Sequence, residues 1–194
     1  MPLRVVGVSG SLRHPSRTTA LVRAILNGIG SHFCASNRLI ELGDVAPSFL
    51  PALARDKLSP EGESIIRAVE EADLLVVGTP VYRASYTGAL KHLFDLVHHD
   101  ALAGKPVVLA ATGANSLHGL VTEHQLRPLL SFFRALTVPT AVYATEADFA
   151  GEEVIGLAVT ERVAQAAHEA AELARRIDAA RSAAGERELL TAHP

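Results

Sequence analysis

Apolar residues along the chain alternate between short continuous runs and longer stretches repeating near every 3.6 positions. The first run, "RVVGV" at 4–8, is β-branched and predicts a strand, and "TTALVRAILNGI" from Thr18 sets Leu21, Ile25, Leu26 and Ile29 on one helical face. A weaker strand is expected in "NRLIEL" at 37–42, followed by a loop punctuated by Pro47 and Pro51. Ser59 before Pro60, with Glu61 and Glu63 in the first turn, announces a helix that ends near Ala72. "DLLVVGTPVY" at 73–82 has the unbroken apolar character of a strand buried on both faces, and "GALKHLFDLVHH" at 88–99 follows it as a helix. A strand at 105–111, a helix interrupted near Pro128 in "LVTEHQLRPLLSFFRAL", a fifth strand at 139–145 and an alanine-rich helix from Thr160 to Ser182 complete the pattern.

Strands alternating with helices imply an α/β chain with a parallel sheet, helices on both faces and right-handed crossovers. With 194 residues it is too short for a typical barrel of roughly 250. The size suits a flavodoxin-like three-layer sandwich with five strands ordered 2-1-3-4-5. One domain over 1–183 and a polar tail over 184–194 are expected. Ligands of such sheets bind beyond the carboxyl ends of the strands where the order reverses, so three loops should converge: 9–17, 79–88 and 112–119.

Composition narrows the partners. A formal net charge of −3, with no basic run, supplies no electrostatic footprint for nucleic acid. The single cysteine, Cys34, excludes an intramolecular disulfide and cysteine-based metal sites; it is expected as a small packed residue in a reducing cytoplasm. No stretch approaches the roughly 20 apolar residues of a membrane helix, so no membrane association is expected. His98, His99 and Asp100 are read as a solvated helix end whose adjacent side chains do not share a face, and no metal is assigned.

The three loops carry the chemistry. "VSGSLRHPSRTTAL" at 8–21 lacks both the dinucleotide glycine fingerprint and a Gly-Lys-Ser/Thr phosphate loop. It instead sets Ser9, Ser11, Ser16, Thr18 and Thr19, with Arg13 and Arg17, at the start of a helix with free N–H groups and a positive dipole end, which suits a phosphate. A hydrolase elbow fails, because "GVSGS" lacks the second glycine where that motif needs it. The second loop offers the flat faces of Tyr82 and Tyr86 after a rigid Thr79-Pro80 turn. The third offers Thr112, Gly113 and Ala114, small enough for backbone N–H groups to approach a ligand edge. Phosphate, flat ring and polar ring edge together describe FMN.

The runs "GSLRHPSRTT" (10–19), "TPVYRASYTGALK" (79–91) and "ATG" (111–113) with "EHQLRP" (123–128) resemble the flavodoxin-like NAD(P)H-dependent FMN reductases. Within them the likeness is greatest to the reductase components of two-component alkanesulfonate and methanesulfonate monooxygenases. The resemblance implies that Ser11, Arg13, Ser16, Thr18 and Thr19 bind the FMN phosphate. It implies further that Pro80, Val81, Tyr82, Arg83 and Ser85 line the isoalloxazine, and that Thr112 and Gly113 meet its pyrimidine edge. NADH or NADPH would be the hydride donor, an FMNH2-dependent monooxygenase the recipient of reduced FMN, and a homodimer or homotetramer the assembly. An extra residue near His124, forming a π-type bulge at a tetramer interface, is also implied. No catalytic acid or base is nominated, since hydride transfer from nicotinamide C4 to flavin N5 depends on stacking and orientation. A quinone, azo or chromate reductase, or a flavodoxin-type electron carrier, stays open on sequence alone.

Overall fold

The computed structural model describes residues 3–33 and 35–191; residues 1–2, Cys34 and residues 192–194 lie outside that description. The chain runs β1 (Leu3–Ser9), α1 (Arg17–Gly30), β2 (Ala35–Glu41), α2 (Leu42–Phe49), α3 (Pro60–Glu70), β3 (Leu74–Pro80), α4 (Gly88–Leu96), β4 (Pro106–Gly113), a π-helical segment (Thr122–Leu126), α5 (Arg127–Phe132), β5 (Leu136–Thr137), β6 (Val142–Thr145), a small hairpin of β7 (Phe149–Ala150) and β8 (Glu153–Val154), and α6 (Leu157–Thr191). The parallel sheet has the expected order, with β2, β1, β3 and β4 side by side.

The period-2 alternation of the central strands feeds two cores. Leu74 and Val76 of β3 face α1 and α6 among Leu21, Ile25, Ala166 and Ala170. Leu75 and Val77 face the other side, among Ile66, Leu90, Leu93, Phe94 and Leu130 from α3, α4 and α5. Gly78 lets α1 press onto the sheet, since a Cβ there would stand 2.4 Å from Val22 Cγ2. Polar caps set the helix starts where hydroxyls precede apolar runs: Ser16 accepts the Thr19 N–H, Ser59 the Gly62 N–H and Thr87 the Leu90 N–H.

Four departures from the sequence reading have local causes. The loop expected around Pro47 is helix α2, whose Leu42, Ala46 and Phe49 are buried at helical spacing; in an eight-residue helix Pro47 removes only one backbone bond. The fifth strand is two pieces, β5 beside Pro106–Val107 and β6 beside Ala110–Gly113. Pro139 between them has no N–H to donate, and the Thr140 N–H goes to the Glu169 carboxylate of α6 at 2.8 Å instead of to the ladder. The last helix continues past Ser182 to Thr191, because Ala, Glu, Arg and Leu in "AAGERELL" carry it through Gly185. His98, His99 and Asp100 follow the end of α4 rather than sitting on it, so their ligand atoms do come within 4.8 Å of one another, all at the exposed surface. No helix among the described residues is long and apolar enough to cross a membrane.

Candidate active site

Parallel register brings the carboxyl ends of four strands together: Ser9 lies beside Gly78, Pro80 beside Thr112, and Gly113 beside Thr145. The loops beyond them enclose a cleft of about 640 Å³, within the roughly 300–1,000 Å³ usual for small-molecule sites. Ser11, Arg13, Ser16 and Thr18 line it from the first loop, Pro80, Val81 and Tyr82 from the second, and Thr112 and Gly113 from the third. A larger groove of about 950 Å³ runs between α4 and α5, past Phe94, Phe132 and Phe133. None of the residues singled out in the loops reaches it, and helix sides rather than strand ends form it.

The cleft is bolted together by hydroxyls. Thr18 Oγ1 and Thr112 Oγ1, both buried, lie 2.6 Å apart and join the first loop to the third. Thr87 Oγ1 donates to the Gly10 carbonyl at 2.8 Å, the Gly10 N–H donates to the Gly78 carbonyl at 2.7 Å, and the Val81 N–H donates to the Thr112 carbonyl at 2.8 Å, tying the second loop to both others. At the start of α1, Ser16 satisfies the Thr19 N–H, while the N–H groups of Arg17 and Thr18 have no intrahelical partner. These N–H groups, the hydroxyls of Ser11, Ser16 and Thr18, and Arg13 form a cluster of donors at a positive helix end.

The wall is a tight turn. The Tyr82 N–H donates to the Ser85 carbonyl at 2.9 Å and the Ser85 N–H returns the bond at 3.1 Å, with Arg83 and Ala84 between them in the left-handed region at φ 51° and 63°. Each non-glycine residue held there costs roughly 1–2 kcal/mol. The turn presents Tyr82 to the cleft, half-exposed, with the Arg13 guanidinium 6.0 Å from its ring centre.

Five residues named from the sequence are not in the lining: Ser9, Thr19, Arg83, Ser85 and Tyr86, the last turned into the core on the α3–α5 side of the sheet instead of toward the cleft. Thr19 turns its hydroxyl to Ser9 at 2.8 Å beneath the loop. Ser85 donates to Gln125 Oε1 at 3.2 Å. Arg83 is exposed on the turn. Gln125 belongs to the π-helical segment, which also contains His124 and is closed by the Arg127 N–H donating to the Thr122 carbonyl. A bidentate pair from Arg127 to Glu123, at 2.6 and 3.0 Å, braces that segment, and the guanidinium holds the Glu123 carboxyl below its ordinary range.

Other residues enter that were not selected from the loops. Thr145, Glu146, Gly151 and Glu152 close the cleft from the β6 side, and Pro15 joins the lining beside Arg17 and Ala114, which the loops themselves offer. The strand-end rule could have pointed to Thr145 and Glu146; Gly151 and Glu152 carried no signal. Tyr143 sits behind the third loop, its hydroxyl donating to the Asn115 carbonyl at 2.6 Å, and burial raises its phenol pKa. A Cβ at Gly113 would lie 2.0 Å from that hydroxyl, so only glycine leaves Tyr143 in place.

Comparison with known proteins places this geometry. Residues 3–150 match the model of the family described as NADPH-dependent FMN reductase. Over 172 residues the chain is 51% identical to the NADH-dependent FMN reductase SfnF of Pseudomonas fluorescens, covering 89% of this chain and 92% of that one. It is 46% identical, over the same shares, to an FMN reductase (NADPH) of Pseudomonas aeruginosa. A solved oxidoreductase from Corynebacterium diphtheriae superposes with a TM-score of 0.80 at 36% identity, over 90% of this chain and 98% of that one. The chain belongs to the NADPH-dependent FMN reductase family, oxidoreductases whose cofactors are FMN and a reduced nicotinamide nucleotide.

Proposed function

We propose that the cleft binds FMN with its 5′-phosphate at the first turn of α1 and its ring against Tyr82, and that the chain reduces it with NADH or NADPH for a separate FMNH2-dependent monooxygenase of sulfonate or sulfone metabolism. The observation that carries the reading is the division of chemistry along one cleft. The first loop brings hydroxyls, free N–H groups and Arg13, the second a flat aromatic face, and the third a small-residue backbone edge. That donor set fits a phosphate monoester joined to a planar heterocycle.

When bound, FMN supplies an N5 that accepts the hydride from nicotinamide C4. The chain's own part is placement. Ser11, Ser16 and Thr18 hold the phosphate, and the turn at Tyr82–Ser85 sets the plane of the ring and excludes water from one face. Backbone N–H groups around Thr112 to Ala114 stabilise negative charge developing at the ring's pyrimidine edge. Of the other residues named from the loops, Thr19 and Ser85 act from behind the lining: Thr19 supports the phosphate loop through Ser9, and Ser85 anchors the turn to Gln125.

Exposed Leu117, Leu120 and Phe132, around the π-helical segment and α5, support a homodimer or homotetramer, and the lone cysteine supports a reducing cytoplasm. The direct test is oxidation of NADH and of NADPH by the purified chain with and without added FMN. FMN-dependent oxidation is expected; no response to FMN with either nucleotide would refute the reading.

A further inference from the structure

Among the described residues, the charged side chains lining the cleft are Arg13, Arg17, Glu146 and Glu152, so the two signs cancel. Glu146 Oε1 lies 2.5 Å from Arg17 Nη2, although the two residues are 129 apart in sequence. Arg17 is the first residue of α1, where the donors gather. Glu146 opens a turn fixed by Asp148, whose carboxylate accepts the Thr145 N–H at 2.7 Å and the Thr145 hydroxyl at 2.8 Å. The Asp148 carbonyl in turn accepts the Ile155 N–H at 2.8 Å. The backbone that carries Glu146 is therefore fixed on the β6 side, and its carboxylate meets a cation on the α1 side.

We infer that Glu146 is a built-in competitor for Arg17 that weakens the hold on the FMN phosphate. The inference rests on the assignment of the phosphate to the first turn of α1. The charged side chains of the cleft as a whole offer a dianionic ester no net positive charge, and it gains Arg17 only by displacing or sharing it with Glu146. An exposed ion pair of this kind is worth a few-fold in an equilibrium constant, the range in which a binding constant can be tuned without abolishing binding.

The test compares dissociation constants for FMN and for riboflavin, read from quenching of flavin fluorescence by the full chain, in the unaltered protein and in Glu146→Gln, Arg17→Gln and the double variant. Glu146→Gln should bind FMN about 2- to 5-fold more tightly. Riboflavin, which lacks the phosphate, should bind all four proteins alike, Arg17→Gln should bind FMN more weakly, and the double variant should match Arg17→Gln. Unchanged or weaker FMN binding by Glu146→Gln, an equal gain for riboflavin, or a gain that persists without Arg17 would each overturn the inference while leaving the cleft assignment standing. If the unaltered protein binds no FMN, the cleft assignment itself fails, and the inference with it.

Discussion

Replacing Gly113 with alanine tests how the third loop is held. The new Cβ would stand 2.0 Å from the Tyr143 hydroxyl and 3.0 Å from its Cζ, so the ring must swing away and release the Asn115 carbonyl. Overpacking of this kind costs about 1–3 kcal/mol and the lost hydrogen bond about 0.5–1.5, together about 1.5–4.5 kcal/mol. For a chain of this size each kcal/mol moves the melting temperature by about 2–4 °C, so a fall of roughly 3–18 °C is expected in a thermal melt. FMN affinity should fall as well, since Thr112 and Gly113 border the cleft. Tyr143→Phe combined with Gly113→Ala removes the 2.0 Å clash and leaves the 3.0 Å contact, so the double variant should recover a substantial part of both losses. A Gly113→Ala protein that melts and binds FMN like the parent, or a double variant no better than the single one, would refute the reasoning.

Three further outcomes follow from other contacts. Thr18→Val leaves Thr112 Oγ1 buried without its partner, costing about 1–3 kcal/mol in a urea titration and loosening FMN at the same time. Arg13→Ala should raise the FMN dissociation constant about 10-fold or more while sparing riboflavin, because a hydrogen bond to a charged group is worth about 1.5–3 kcal/mol; equal losses for both ligands would place Arg13 against the ring instead. Hydrogen bonds from Arg55 and then Arg67 hold the Glu63 carboxyl at about 2, against an ordinary 4.5. The folded pKa is the lower one, so this contribution is complete above pH 4.5 and is lost as pH falls toward about 2. Solvent screens the exposed Arg67 side of the cluster, so the effect is best read by difference: Glu63→Gln should flatten that part of the acid-melting curve.

The layered fold was legible because its strongest signals are local. "LLVVGTP" is buried on both faces in β3, and the hydroxyls of Ser16, Ser59 and Thr87 do start their helices. Features that depend on distant partners were not legible. Pro47 reads as a breaker until Phe49 is seen buried in the core, and the split between β5 and β6 depends on Glu169, 29 residues beyond Thr140. Within the cleft, loop membership identified Ser11, Ser16 and Thr18 but not whether a hydroxyl faces inward. Thr19 spends its hydroxyl on Ser9, and Ser85 on Gln125. Glu146 and Tyr143 reach the cleft and its supporting loop only through the pairing of β6 with β4, a register that sequence spacing does not carry.

The most direct test of the account is the electron density of FMN in a crystal of its complex with the chain. The phosphate should lie within hydrogen-bond distance of the Ser11, Ser16 and Thr18 hydroxyls at the first turn of α1, with the ring against Tyr82. FMN found instead in the groove between α4 and α5, or with its phosphate away from the first turn of α1, would contradict it.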